Sequence, residues 1–338
     1  YGGTALRSSR TNPFPTKKNP EDRVPQVMKN LERYKIDTLV TIGGDDTNGA
    51  AKRIYEREGI PVIGFPKTID NDLRTHTMHS YNGEEIEAVL CPGFPSGALC
   101  ISNLTRHLRS TNESHERIMV LEVMGRDAGW LTGSATFGGA EMALVPEVEM
   151  TAERKERFFE EVKKRYAEKK NLIIAVSEGV RWWNDETKEL GMVYASSETD
   201  EYGHKRFGGV SGVVASEISK RLGVEARAQI SGYYPRAGAC SDYDRRFTSA
   251  LADKAMDLLL RGEYGKMPVL DRIVTPEYLE EYNMSAIDMG SIGNQPLQAA
   301  YYDENSFTFT PAYGDFLKNI LGEPYLPTFG CDFPKVTL

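Results

Sequence analysis

Cysteine and histidine are both scarce in this sequence of 338 residues, with four of one and five of the other. The cysteines, Cys91, Cys100, Cys240 and Cys331, form no CxxC pair, and the histidines show no HExxH spacing. A disulfide framework and a zinc enzyme are therefore set aside, and buried free thiols in a reducing cytoplasm are expected. Apolar runs of membrane-spanning length are absent, and no signal-peptide pattern is read at the start. Positive charge is short as well: the formal net charge of -8 argues against nucleic acid or an anionic membrane as main partner, while leaving room for local basic pockets. There is no repeat at fixed period and no low-complexity linker. What remains is a globular chain longer than one core usually supports, so two domains are expected.

The chemistry concentrates between residues 38 and 72. Residues 38–42, Thr-Leu-Val-Thr-Ile, read as a buried strand that stops at Gly43-Gly44-Asp45-Asp46-Thr47-Asn48-Gly49. A helix is predicted from Ala50 to about Glu58. A second strand, 61–65, runs into Pro66-Lys67-Thr68-Ile69-Asp70-Asn71-Asp72. Strand, glycine turn and helix in that order mark a parallel βα unit, whose carboxyl edge is where open α/β folds bind ligands. Glycines there let backbone N–H groups and a helix N-terminus approach phosphate. Four aspartates beside a phosphate-shaped turn would repel it unless a hard cation lies between, which implies magnesium. A remaining carboxylate can take a proton from an attacking hydroxyl while Lys67 and backbone amides offset charge on the transferred group. The residues thus point to phosphoryl transfer to an alcohol; either loop alone is also compatible with a solvated Asp/Asn/Gly turn.

Elsewhere strands alternate with helices, which predicts parallel α/β architecture. A helix is expected over 24–34 and a hairpin around Asn82-Gly83 within 73–90. Strands are expected at 118–123, 143–145, 172–176 and 225–230, and helices at 151–169, 210–222 and 244–261. Trp182, Trp183 and 185–189 read as a surface loop, and the tail from Met267 as short pieces without chemistry. Arg126 follows a strand beside a glycine, either as an anion contact or paired to a carboxylate. Glu178 either accepts hydrogen bonds from a substrate hydroxyl or caps a helix, and Arg10 is either a phosphate contact or a surface arginine. Arg126, Glu178, Arg227 and Arg236 lie on or beside strands, most near carboxyl ends, and are expected to converge on a cleft.

The ordered motifs GGT…SSR, IGGDDT, PKTIDND, RIMVLEVMGR, SEG and RAQISGYYPR resemble the phosphofructokinase family, and within it the diphosphate-dependent members. The resemblance spans Gly2 to about Arg246. It implies two facing Rossmann-like three-layer domains with mostly parallel sheets. Family chains begin with a strand and glycine-rich loop ahead of the position of Tyr1, so the first βα unit is expected to be missing. One domain is expected from residues 1–93 with 236–290, for phosphate donor and metal; the other from 94–235 with 291–338, for sugar phosphate.

Carried over by motif, the resemblance implies Asp70 as the base, Thr68 and Arg10 at the transferred phosphoryl group, and magnesium held by Asp45 and Asp72. Gly44, Asp46, Thr47 and Lys67 would meet the donor. Met124, Gly125, Arg126 and Glu178 would hold fructose 6-phosphate, with Arg227, Tyr233 and Arg236 gripping its phosphate and Arg117 lendable across a subunit interface. Members that use ATP usually carry glycine where Asp46 stands, so a carboxylate there discriminates by repulsion in favour of diphosphate. The implied protein is a cytoplasmic homodimer or homotetramer. The excursion at 73–90 is longer than the family's usual connection and is expected to reshape the sugar pocket. Residues 234–239, Tyr-Pro-Arg-Ala-Gly-Ala, depart from the usual glutamine-arginine-glycine-glycine run. Alternatives are ATP as donor, sedoheptulose 7-phosphate as acceptor, or a non-catalytic sugar-phosphate-binding subunit. A dinucleotide-binding dehydrogenase fits poorly, because GGDDTNG lacks the GxGxxG spacing.

Overall fold

The computed structural model describes residues 11–17, 19–199, 205–279, 284–291 and 293–323. Helix α1 (Val24–Arg33) leads into β1 (Leu39–Gly43), α2 (Asp45–Glu58) and β2 (Val62–Pro66). A hairpin follows, β3 (Thr77–Tyr81) and β4 (Glu84–Ala88), turning at Asn82-Gly83 as expected. Next come α3 (Phe94–Ser114), β5 (Ile118–Val123), α4 (Trp130–Phe137), β6 (Met142–Leu144), α5 (Ala152–Lys169) and β7 (Leu172–Ser177). The segment read as a surface loop is instead a hairpin, β8 (Arg181–Asn184) with β9 (Glu189–Met192). Trp182 decides this by burying its ring, 3% exposed, against Phe158 and Phe159. The chain continues through β10 (Tyr194–Thr199), β11 (Lys205–Phe207), α6 (Val210–Leu222), β12 (Ala226–Ile230), α7 (Asp242–Arg261), β13 (Lys266–Val269), β14 (Ser285–Asp288) and α8 (Pro311–Leu321).

Two four-stranded sheets organise the molecule. One has the order β1-β2-β13-β14, parallel except for its last strand; the other, β12-β5-β7-β6, is wholly parallel. The tail expected to carry only short pieces supplies β13 and β14, because Met267 and Val269 are buried in one cluster with Val62 of β2 and apolar residues of α1 and α2.

The period-two alternation of a strand assigns each residue to a layer. Ile118 and Val120 face α5 and α6, whereas Met119, Leu121 and Val123 face the middle of the molecule. There one large core joins both sheets through α3, α4, α7 and α8. Trp130 sits in it with Tyr301, Tyr313 and Phe316, at ring-centroid distances of 5.3, 6.2 and 5.4 Å. Losing one such buried ring typically costs about 3–5 kcal/mol, so this cluster binds α8 firmly behind the loop that precedes α4. No helix among the described residues is long and apolar enough to cross a membrane.

Candidate active site

At the first strand end the backbone is crowded: a Cβ on Gly43 would meet Thr47 Oγ1 at 2.4 Å. Gly44 is the N-cap and α2 begins at Asp45, five residues earlier than expected. The aspartates that read as turn residues face the positive end of the helix dipole and so start the helix equally well. Asp45, Asp46 and Thr47 are therefore exposed on a rigid first turn rather than on a loop. Buried Asn48 pins that turn by donating to Gly43 O at 2.7 Å and Gly44 O at 3.2 Å.

The second strand end is tied to the first, since Lys67 N donates to Gly43 O at 2.9 Å. Thr68 Oγ1 accepts from Asp70 N at 3.1 Å and donates to Asp72 Oδ1 at 3.4 Å. Between the two aspartates Asn71 takes a left-handed conformation, φ 56°, which asparagine tolerates better than most residues. Its buried side chain donates to Val89 O at 2.7 Å and accepts from Cys91 N at 2.9 Å. The loop between Asp70 and Asp72 is thereby locked from behind.

Burial raises the Asp70 carboxyl above the ordinary range, while Arg236, Arg126 and Lys67 oppose the rise. Its Oδ1 is buried and has no hydrogen-bond partner among the described residues. An acceptor oxygen left in that state costs about 1–3 kcal/mol, which a substrate hydroxyl would recover. Burial and then the Asp70 charge push Asp72 up to about 7, with Asp45 adding to the effect. Asp70 and Asp45 thus both lie within electrostatic reach of Asp72. Among the described residues no three His, Cys, Asp or Glu side chains form a ready-made metal cage. That donor set suits magnesium, which takes one or two carboxylates and completes its shell with water and substrate phosphate.

Opposite stand the carboxyl ends of β5 and β7. Burial raises the Glu178 carboxyl, next the Asp70 charge, and the amides of Gly125 and Arg126 donate to it. It therefore holds the Met124-Gly125-Arg126 loop and caps no helix. Gly179 is demanded by the same contact, because a Cβ there would lie 1.6 Å from Arg126 O. Arg126 has φ 43° and lies within electrostatic reach of Asp70. Arg236 reaches both Asp70 and Glu178, and Tyr233 beside it is 63% exposed.

Two arginines do not join this cleft. Arg227 is the second residue of β12, in register with Met119 near the amino end of β5, and its Nε donates to Glu225 at 2.5 Å. Arg117, just ahead of β5, lies 3.7 Å from the same carboxylate. A parallel strand puts its two ends on opposite edges of the sheet, so the expected convergence of Arg227 with Arg126 and Glu178 fails within one chain. Arg10 lies outside the described residues.

The excursion after Asp72 packs behind the aspartates. Thr77 Oγ1 donates to Leu270 O at 2.8 Å, and buried His79 lies 3.0 Å from both Tyr301 Oη and Asp315 Oδ2. Gln295 N donates to Asp72 O at 2.7 Å, so the tail also braces this loop. The sequence reading missed Asn48, Asn71 and Glu147, whose Oε1 accepts from Gly129 N at 2.9 Å and Leu297 N at 2.8 Å. Asn71 carried a signal, an asparagine between two acids in a turn; Glu147 carried none, because its partners are 18 and 150 residues away.

The shifted Asp72 carboxyl predicts a pH effect. Between its ordinary 3.8 and about 7, folded chain retains a proton that unfolded chain releases. Stability of the metal-free protein should then fall as pH rises through that window, by at most about 1.4 kcal/mol per pH unit from this group. Magnesium, favouring the ionised form, should flatten the slope. Thermal unfolding from pH 5 to 8 checks this, with Asp72→Asn as reference; an unchanged slope in the variant refutes the role of Asp72.

Facing carboxyl edges that gather aspartates, arginines and a lysine define a phosphate-handling α/β protein. The family model described as phosphofructokinase matches residues 1–259, and the chain belongs to that family. It is 40% identical over 268 residues to the pyrophosphate–fructose 6-phosphate 1-phosphotransferase of Dictyoglomus thermophilum, covering 78% of this chain and 70% of that one. The protein of the same name from Thermoproteus tenax is 36% identical, with 79% and 70% covered. ATP-dependent 6-phosphofructokinase 3 of Streptomyces coelicolor is 34% identical, with 80% and 72% covered. The fold matches the crystal structure of pyrophosphate-dependent phosphofructokinase from Marinobacter aquaeolei with a TM-score of 0.72 at 22% identity, covering 97% of this chain and 76% of that one.

Proposed function

We propose that this chain transfers a phosphoryl group from diphosphate to the 1-hydroxyl of fructose 6-phosphate, giving fructose 1,6-bisphosphate. The observation that carries this reading is Asp70: a buried carboxylate oxygen without a partner among the described residues, amid Arg126, Arg236 and Lys67, where two sheet edges face each other. Asp70 takes the proton from the acceptor hydroxyl, and its raised carboxyl strengthens it as a base. Arg126 and Arg236, positioned by Glu178 and the crossing after β12, hold the acceptor in line. Lys67 and the α2 N-terminus meet the diphosphate. Magnesium, held by Asp72 and Asp45, neutralises phosphate charge when bound.

Asp46 supports diphosphate over ATP, because it stands on the first turn of α2 and cannot swing aside as a loop residue would. Asp46→Gly should raise the ATP-to-diphosphate rate ratio at least about tenfold, the scale of one unfavourable charge contact. An unmoved ratio would remove Asp46 as the discriminator.

The two sheets support the proposed domains, residues 1–93 with 236–290 and 94–235 with 291–338. Arg227, 63% exposed on an edge strand beside Arg117, supports a homodimer or homotetramer in which these arginines serve a partner's acceptor site. The direct test is phosphorylation of fructose 6-phosphate with magnesium, comparing diphosphate with ATP and then other sugar phosphates. Turnover with ATP alone overturns the donor, and turnover on another sugar alone overturns the acceptor. Absence of turnover with every pair leaves a binding subunit.

A further inference from the structure

The chain leaves the first sheet for the second through residues 91–94 and returns through 231–241. Both crossings meet at Asp244, which is 3% exposed at the start of α7. Its carboxylate accepts from Gly93 N at 2.9 Å, Ser96 N at 2.8 Å and Ser96 Oγ at 2.5 Å. Ser96 Oγ in turn accepts from Ser241 N at 2.9 Å.

This arrangement answers a specific difficulty. A helix N-terminus needs an acceptor for its first N–H groups, yet the N-cap of α3 is Gly93, which has none to offer. Gly93 has φ +98°, and a Cβ on it would stand 3.4 Å from Thr68 O, so a capping side chain at that position is disfavoured. The cap is supplied instead from α7, 151 residues away.

The same backbone carries the reacting loop. Thr68 bridges to Gly93, and Thr68 N donates to Pro92 O at 3.0 Å. Thr68 Oγ1 then engages both Asp70 N and Asp72 Oδ1. On the returning crossing Arg236, which faces Asp70, stands five residues before Ser241.

We infer that Asp244 is a positioning residue for phosphoryl transfer: by holding both crossings at one carboxylate, it sets Thr68, and through it Asp70 and Asp72, relative to Arg236. This rests on the function proposed above. The hydrogen bonds of the Asp244 carboxylate go to Gly93 and Ser96. Its effect is geometric, and misplacement on the order of 1 Å can lower a rate about 10²-fold.

The test is Asp244→Asn, isosteric but able to accept with one oxygen only, beside Ser96→Ala, which keeps both backbone bonds. Asp244→Asn should lower kcat with diphosphate roughly 30- to 100-fold while KM for fructose 6-phosphate stays within about threefold. Combined with Thr68→Ala it should lower kcat no further than Thr68→Ala does alone, since both act through one contact. A multiplicative loss, or kcat within about threefold of wild type, overturns the inference. Hydrogen–deuterium exchange decides independently of turnover: residues 66–72 should exchange faster in Asp244→Asn, and to a smaller degree in Ser96→Ala, with the second sheet unchanged. Unaltered protection at 66–72 overturns positioning even if wild type lacks diphosphate-dependent activity, and absent wild-type activity itself refutes only the proposed function.

Discussion

Replacing Asp70 with serine is expected to lower kcat about 10³-fold, within the usual range for loss of a general base, and to leave KM for fructose 6-phosphate nearly unchanged. The reason is local. On the proposed function, acceptor grip would reside on the opposite edge, in Arg126, Arg236 and the loop held by Glu178, whereas Asp70 would act on the proton that leaves only during reaction. The buried oxygen without a partner among the described residues is the feature that distinguishes it from Asp72, whose Oδ1 already accepts from Thr68. Steady-state kinetics with diphosphate checks the result. Turnover within tenfold of wild type, or a loss confined to KM, would reassign the base. Asp70→Ser also removes the charge that helps raise Asp72, so the Asp72 carboxyl should fall and magnesium binding survive to lower pH.

Gly179→Ala carries the second large effect. The added methyl would sit 1.6 Å from Arg126 O and 2.7 Å from its carbonyl carbon. Neither is the far end of a flexible side chain, so the Met124–Arg126 backbone must move. Arg126 already occupies a left-handed conformation, φ 43°, and Gly125 is boxed in by Ala128 O at 2.6 Å from any Cβ. There is little slack to absorb the shift. We expect kcat/KM for the sugar phosphate to fall at least about 10²-fold, while the affinity for magnesium diphosphate, measured by calorimetry, changes little because the proposed donor end of the site lies on the other sheet. Equal losses at both ends would mean that the two edges deform as one body. An unaffected kcat/KM would show that the loop tolerates displacement.

These effects differ in how far they could be anticipated. The placement of Asp70 just past the carboxyl end of β2 was legible, because TIDND is a strand end followed by acids, and a strand end in an α/β chain lies on the binding edge. Gly179 was legible only as one letter of a motif; the need for glycine comes from a carbonyl 53 positions earlier in the chain. Asp45 and Asp46 were placed on the wrong element, in a turn rather than at the start of α2, since acids favour both turns and the first turn of a helix. The hairpin at Asn82-Gly83 was legible because a two-residue turn is a local matter. The β8–β9 hairpin was not, because Trp182 is held by Phe158 and Phe159 from α5, a contact with no signature near residue 182.

Arg227 is the clearest case of divided authority. Its type and motif mark it for phosphate, yet register pairs it with Met119 and leaves it beside Glu225, at the far end of the strand from Arg126. What the sequence by itself determined was the alternation of strands and helices, the family, and the set of charged residues at most strand ends, all of which depend on local pattern and order. Only the tertiary structure decided which of those residues meet, that Asp70 keeps an oxygen with no partner among the described residues, and that Asp244 caps a helix belonging to another part of the chain. The physical reason is that burial, register and hydrogen-bond satisfaction are properties of pairs of segments far apart in sequence, and neither segment alone contains them.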